Sequence, residues 1–101
     1  MTRLTRLDRS VAGRRVIVTG AGSGMGEATA KLFCDEGAIV LLLDRSDSVN
    51  RVASEIRSAH GEDACEVRVV DVTRPDDVRG VVDDFAARRG GIDIVVNNAG
   101  V

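Results

Sequence analysis

The chain has 101 residues, of which 44% are hydrophobic and 30% are charged, and its formal net charge is −2. This composition is typical of one globular domain with a modest core, and it excludes a disordered or fibrous segment. The weak negative charge argues against nucleic acid or an anionic membrane as a partner. No apolar run in the sequence approaches the length of a membrane span.

The first residues predict a solvated N-terminal arm over residues 1–12, because arginines recur there and no apolar stretch follows them. The domain proper is expected over residues 13–101. Its two cysteines, Cys34 and Cys65, form neither a Cys-x-x-Cys pair nor a Cys/His cluster. We therefore expect buried, reduced thiols, no metal site and a cytoplasmic protein.

The domain begins with a strand, a turn and a helix. Residues 15–19 are a β-branched run, and the glycine-rich stretch GAGSGMG follows directly at residues 20–26. A helix is predicted over residues 25–36 and ends before Gly37. The apolar stripe that should face the core consists of Met25, Ala28, Leu32 and Phe33.

A second strand and helix follow. Residues 39–43 are continuously apolar, as in a strand covered on both faces of a parallel sheet, and Asp44 ends the run. A helix is predicted next, with its N-cap among residues 46–48 and Gly61 beyond its end. Its apolar stripe consists of Val49, Val52, Ala53 and Ile56.

The last part of the chain predicts a third strand at residues 65–70 and a fourth at residues 92–96. Between them Thr73 and Asp76 resemble a capping box. The helix predicted there has the apolar stripe Val78, Val81, Val82, Phe85 and Ala86. The order βαβαβαβ predicts an α/β protein with a Rossmann-type doubly wound parallel sheet, truncated to four strands and three helices.

The glycine turn is the strongest functional signal. A helix N-terminus carries unpaired N–H groups and partial positive charge, so a pyrophosphate binds there if glycine lets the backbone come close. The generic pattern Gly-x-Gly-x-x-Gly fails in both frames, because it needs glycine at Met25 or Glu27. The pattern that fits residues 19–26 is Thr-Gly-x-x-x-Gly-x-Gly. In this place it resembles the classical short-chain dehydrogenase/reductase family.

Three later segments agree with this resemblance. Asp44 ends the second strand, Asp71-Val72 ends the third, and Asn97-Asn98-Ala99-Gly100 ends the fourth. Each lies at the carboxyl edge, where open α/β sheets bind ligands. The resemblance implies an NAD(P)-dependent oxidoreductase, represented here by its cofactor-binding half and truncated after the fourth strand.

The resemblance also implies roles for individual residues. The turn would bind the pyrophosphate and the adenosine ribose, Asp71 the adenine amino group, and Val72 would flank the adenine ring. Asn97 and Asn98 would either brace the central strands or contact the cofactor ribose, and both roles stay open. The implied cofactor-binding residues are Gly20, Ser23, Gly24, Met25, Gly26, Asp44, Arg45, Asp71, Val72, Asn98, Ala99 and Gly100.

Asp44 predicts NAD rather than NADP. Its carboxylate can accept hydrogen bonds from a free ribose, whereas it repels a 2′-phosphate by on the order of 4 kcal/mol per charge pair at ~4 Å and an effective dielectric of ~20. Ser23 agrees, because NADP-preferring relatives often carry a basic residue there. Arg45 is a feature that favours NADP, since an arginine can pair with a 2′-phosphate. We interpret it as a solvated side chain.

The family's catalytic serine, tyrosine and lysine lie beyond its Asn-Asn-Ala-Gly segment, and this chain contains no tyrosine. Lys31 belongs to the first helix, and His60 sits at a helix end, where it compensates the helix dipole. No catalytic residue is therefore expected. We expect the chain to be inactive alone and to self-associate or pair with a missing C-terminal half through its open fourth strand.

Two alternatives remain. The chain could be a non-catalytic nucleotide-binding or interaction module that completes its sheet with another chain. It could also have a methyltransferase-like fold that binds S-adenosylmethionine, although residues 97–100 and the glycine spacing argue against this.

Overall fold

The computed structural model of the chain describes residues 11–98. Its elements are β1 (Arg15–Thr19), α1 (Gly24–Asp35), β2 (Ile39–Asp44), α2 (Ser48–His60), β3 (Cys65–Val69), α3 (Pro75–Arg89) and β4 (Ile94–Asn97). The four strands are parallel, in the order β3-β2-β1-β4. This confirms the predicted Rossmann-type sheet with four strands and three helices. Most of the predicted arm, residues 1–10, lies outside the described residues, and Val11 packs against the core.

The core lies on both faces of the two central strands. Successive side chains of a strand point to opposite faces, so Val18 and Leu42 pack with α1 and α2, whereas Ile17 and Leu41 pack with α3. All four are buried. Because both faces of β1 and β2 are covered, the carboxyl ends of these strands are held rigidly beside each other.

The prediction for α2 is confirmed. Val49, Val52, Ala53 and Ile56 are its buried residues, and the helix ends at Gly61, whose φ is +108°. In the described part of the chain, no helix is both long and apolar enough to cross a membrane.

The core-facing stripe predicted for α1 is wrong for most of its residues. Met25 and Leu32 are 77% and 59% exposed. The buried face consists instead of Gly26, Ala30 and Cys34, which are spaced four residues apart. Of the predicted stripe, Phe33 is half-buried and packs against this core. The helix therefore turns small residues toward the sheet, whereas Met25 and Leu32 face outward.

The close approach of α1 to the glycine turn explains this orientation. A Cβ added at Gly26 would lie only 1.9 Å from the carbonyl oxygen of Gly20 and 2.6 Å from its carbonyl carbon. Only a residue without a side chain fits between the helix and the turn. Periodicity alone favours the larger apolar residues, but the available volume decides which face is buried.

The capping box predicted at the start of α3 is also wrong. The helix begins at Pro75 after Arg74, which makes no side-chain cap. The hydroxyl of Thr73 donates instead to Asp71 Oδ1, because this acceptor is only two residues away in a tight turn. Further along α3, Phe85 is fully buried.

The bounds of three strands differ from the predictions, and the first of these strands, β2, includes Asp44. β3 ends at Val69, and β4 begins at Ile94 and continues to Asn97. Asp93 anchors the start of β4, because its Oδ2 accepts hydrogen bonds from the main-chain nitrogen and Nε of Arg15, both at 2.8 Å.

We expect Gly26→Ala to destabilise the chain by about 1–3 kcal/mol, because the added methyl group meets backbone atoms that can move only with the turn. Gly80→Ala is the matched control: a Cβ there meets nothing within 4 Å, and alanine should stabilise α3 by about 0.5–1 kcal/mol. Urea unfolding of both variants measures the difference. Equal stability of Gly26→Ala and the wild-type chain would contradict the close approach.

Candidate functional site

A cleft of about 520 Å³ opens at the carboxyl edge of the sheet, beside the glycine turn. Its lining residues are Gly20, Ser23, Met25, Gly26, Asp44, Arg45, Asp71, Val72, Thr73 and Asn98. All except Thr73 are among the residues predicted from the sequence. Thr73 was missed because it belongs to no segment of the family pattern, although an Asp-x-Thr sequence after a strand is typical of a side-chain-stabilised turn.

Three predicted site residues remain, and the structure describes only Gly24 among them. Gly24 is not among the lining residues, and the space around its Cβ position is open, with no atom within 4 Å. Its φ of +58° requires glycine for conformational reasons instead. Ala99 and Gly100 lie outside the described residues.

The glycine turn is fixed to the end of β2 by two consecutive N–H groups. The nitrogen of Ala21 donates to the carbonyl of Leu43 at 3.1 Å, and that of Gly22 donates to Asp44 Oδ2 at 2.8 Å. The turn therefore continues the hydrogen bonding of β1 with β2 past the last paired residues. This places the start of α1 directly over the edge of the sheet.

The first turn of α1 can bind an anion. The nitrogen of Glu27 donates to the carbonyl of Ser23 at 3.3 Å, which is the first hydrogen bond of the helix. The four preceding N–H groups have no intrahelical acceptor, as at every helix N-terminus. Since Ser23, Met25 and Gly26 line the cleft, these N–H groups and the positive end of the helix dipole lie beside it.

Asp44 is held in one orientation. Its Oδ2 accepts from the nitrogen of Gly22 and its Oδ1 from the nitrogen of Ser46, at 2.8 and 3.0 Å. Each carboxylate oxygen has a second lone pair, so both can still accept a hydrogen bond from a ligand. The side chain thus joins the glycine turn to the turn before α2 and contributes negative charge to the cleft.

Asp71 is ordered in a similar way by Thr73. Its Oδ1 accepts from the main-chain nitrogen and the hydroxyl of Thr73, at 2.9 and 2.6 Å. These bonds, with the positive charges of Arg45 and Arg74, hold the pKa of Asp71 below its usual range. Asp71 is therefore an ionised acceptor, and Val72 places an apolar surface beside it in the cleft.

The segment after β4 combines a structural contact with an unsatisfied donor. The hydroxyl of Thr19 donates to Asn97 Oδ1 at 2.8 Å and accepts from the nitrogen of Asn98 at 3.1 Å, which braces β1 against the end of β4. The side-chain nitrogen of Asn98 is buried without a hydrogen-bond partner in the described structure. Such a donor costs roughly 1–3 kcal/mol, so a ligand acceptor there would be stabilising.

The remaining polar candidates lie away from the cleft. His60 Nε2 is 2.6 Å from Asp35 Oδ1, and Lys31 Nζ is 2.7 Å from Glu27 Oε2. The Lys31 pair lies within α1, and the His60 pair joins α2 to α1, so neither basic side chain lines the cleft.

The two cysteines are free and buried, as predicted. Burial raises the pKa of the Cys34 thiol to about 12 and also raises that of Cys65. Both thiols are therefore protonated and unreactive at neutral pH.

Residues 14–101 match the model of the short chain dehydrogenase family. The chain belongs to this family, and its glycine turn, cleft and parallel sheet are the features expected of it. The resemblance drawn from the sequence is confirmed. The match excludes the alternative of a methyltransferase-like protein.

Two relatives illustrate the extent of the match. Zerumbone synthase of Zingiber zerumbet is 43% identical over 89 residues, which are 88% of this chain and 33% of that protein. Cis-4-hydroxycyclohexanecarboxylate dehydrogenase of Sinomonas cyclohexanicum is 41% identical over 95 residues, 94% of this chain and 37% of that protein. The chain thus spans about a third of the length of these relatives.

Solved structures agree. A short-chain type dehydrogenase/reductase from Mycobacterium marinum has a TM-score of 0.81 and 39% identity, covering 91% of this chain and 37% of that one. A short chain dehydrogenase from Mycobacterium paratuberculosis bound to NAD has a TM-score of 0.81 and 31% identity, covering 91% of this chain and 38% of that one. The described fold is therefore that of the N-terminal part of such enzymes.

Proposed function

We propose that this chain is the cofactor-binding part of an oxidoreductase that prefers NAD to NADP. The observation that carries the proposal is the carboxylate of Asp44, which lines the cleft with both oxygens oriented by main-chain N–H groups. The NAD-bound relative from Mycobacterium paratuberculosis supports the choice of cofactor class.

The cleft fits a dinucleotide. Its volume of about 520 Å³ lies within the usual range for ligand sites. The first turn of α1 suits the pyrophosphate, Asp44 suits the adenosine ribose hydroxyls, and Asp71 with Val72 suits the adenine. An acceptor on the cofactor would also satisfy the buried amide of Asn98. The pyrophosphate, the adenosine ribose and the adenine therefore each have a matching group at the sheet edge.

The bound nicotinamide would supply hydride transfer. The described residues hold and orient the cofactor, and the choice between its two forms depends on charge. Asp44 is fixed and half-buried, whereas Arg45 is exposed. A 2′-phosphate would have to approach the fixed carboxylate, at a cost on the order of 4 kcal/mol before relaxation. The exposed Arg45 would offset little of this cost, because pairing with the phosphate would order its long side chain.

We expect the wild-type chain to bind NAD at least about tenfold more tightly than NADP, which corresponds to 1.4 kcal/mol. Asp44→Ala should narrow this ratio, because it removes the charge that repels the 2′-phosphate. Arg45→Ala is the matched control and should retain the NAD preference. Titration calorimetry with both cofactors measures the ratios. Equal affinities in the wild-type chain, or an unchanged ratio in Asp44→Ala, would contradict the proposal.

We further propose that the 101-residue chain binds the cofactor without turning over substrate. Proton transfer at the substrate oxygen needs a positioned acid or base, and the chain contains no tyrosine. His60 and Lys31 are paired on the helices away from the cleft. Chemistry by the family's mechanism would therefore need residues outside these 101.

The measurement is NADH formation by the pure chain across a panel of secondary alcohols, with NAD binding measured on the same sample. Bound NAD without NADH formation is the expected result. Formation of NADH that is lost in Asp44→Ala would overturn the proposal, because it would place a complete active site within this chain.

A second candidate is an interaction module, and the position of β4 favours it. Among the described strands, β4 ends the sheet and pairs only with β1. Val95 on this strand is 60% exposed. An edge strand of apolar residues is a template for pairing with another chain. We propose a second copy of the chain as the partner.

We expect the chain to sediment as a dimer or larger species at micromolar concentration, and Val95→Lys to shift it toward the monomer, because a charge on an edge strand opposes pairing. Leu32→Lys is the matched control, since Leu32 is 59% exposed but lies on α1. A wild-type monomer at every concentration, or equal effects of the two substitutions, would contradict association through β4.

A further inference from the structure

Gly22 is buried between Asp44 and the start of α2. A Cβ added at this position would lie 2.4 Å from Ser48 Oγ and 2.7 Å from Asp44 Oδ2. Both separations are well below van der Waals contact. The carboxylate of Asp44 thus occupies space that is free only because residue 22 has no side chain.

Gly22 leaves space for the carboxylate of Asp44, and its backbone also binds that carboxylate. Its N–H donates to Asp44 Oδ2 at 2.8 Å, while Ser46 holds the other oxygen at 3.0 Å. The carboxylate is therefore clamped between two turns that belong to different parts of the chain. Displacement of the carboxylate from either donor removes one of the two hydrogen bonds that fix its rotamer.

The requirement for glycine here differs from that at the other glycines of the turn. Gly24 has a φ of +58°, whereas Gly22 is not among the glycines with positive φ. The nearest atoms to a Cβ at Gly26 belong to the backbone of Gly20, but those at Gly22 are the ends of two side chains. A methyl group at residue 22 can therefore be accommodated by rotating Ser48 and Asp44, with a small shift at the nitrogen of Val49.

We propose that Gly22 is a positioning residue that sets the cofactor preference of this site by fixing the carboxylate of Asp44. The proposal rests on the proposed function, because it concerns the choice between NAD and NADP. A carboxylate that moves away from residue 22 no longer presents the same lone pairs to a ribose hydroxyl. It also no longer maintains its repulsion of a 2′-phosphate at a fixed distance.

The test is the ratio of NAD to NADP affinity in Gly22→Ala. We expect the ratio to fall at least about fivefold toward that of Asp44→Ala, while the chain unfolds cooperatively near the wild-type temperature. Gly80→Ala, which adds the same methyl group where nothing lies within 4 Å, should keep the wild-type ratio. A residue that served stability alone would weaken both cofactors equally and leave the ratio unchanged.

The double variant Gly22→Ala/Ser48→Ala separates the two close contacts. Removing the Ser48 hydroxyl relieves the shorter one, so the ratio should stay low if displacement of Asp44 is the cause. Recovery of the wild-type ratio in the double variant would overturn the proposal, because it would place the effect on Ser48. Ser48→Ala alone should keep the wild-type ratio.

Amide hydrogen exchange without cofactor provides an independent measurement. Since the carboxylate accepts from Ser46, its displacement in Gly22→Ala should speed exchange at the Ser46 amide, and Gly80→Ala should leave that rate unchanged. Unchanged exchange at Ser46 in Gly22→Ala would overturn the proposal even if neither cofactor binds. Absence of NAD preference in the wild-type chain would instead refute the proposed function. The two failures are thereby distinguishable.

Discussion

The contact between Gly26 and the carbonyl of Gly20 constrains the rest of this structure. It brings the start of α1 onto the end of β1 at a distance that no side chain permits. The helix must then present small residues along its length, which explains why Ala30 and Cys34 face the sheet. It also directs the unpaired N–H groups of the first helical turn over the sheet edge, where the cleft opens. One close approach thus determines both the packing of α1 and the place where an anion can bind.

The two carboxylates of the cleft share a second property: each accepts a hydrogen bond from the main chain of a neighbouring turn. Asp44 is held by Gly22 and Ser46, and Asp71 is held by Thr73. Hydrogen bonds made before a ligand arrives reduce the entropy lost when the ligand binds. The side chain of Arg45, by contrast, is exposed to solvent. This difference in exposure and hydrogen bonding supports the proposal that the carboxylate of Asp44, rather than Arg45, determines cofactor preference.

The sequence predicted the elements whose burial follows from periodicity alone. α2 is the clearest case, because Val49, Val52, Ala53 and Ile56 repeat at helical spacing and are the residues that the helix buries. α1 could not be predicted in the same way, since its buried face is chosen by the space left between backbones. Periodicity contains no information about that space.

The cleft could be predicted almost completely because its residues follow strands. In a parallel sheet all carboxyl ends lie at one edge, so Asp44, Asp71 and Asn98 meet there although they are far apart in sequence. Thr73 was missed because its role depends on a local competition between two acceptors. In a capping box the Thr73 side chain would bond to the first turn of α3. Its hydroxyl donates to the nearer carboxylate of Asp71 instead. Competition of this kind depends on distances that a sequence pattern does not contain.

The two roles considered for the asparagines of residues 97–98 are compatible, because they fall on different atoms. The side chain of Asn97 and the main-chain nitrogen of Asn98 brace the strands through Thr19. The side-chain amide of Asn98 remains buried and unpaired within the described residues. A site built only for bracing gains nothing from that burial, which carries a cost. The cost is offset when a ligand acceptor occupies the cleft, so the position of this amide favours cofactor contact by Asn98 and bracing by Asn97.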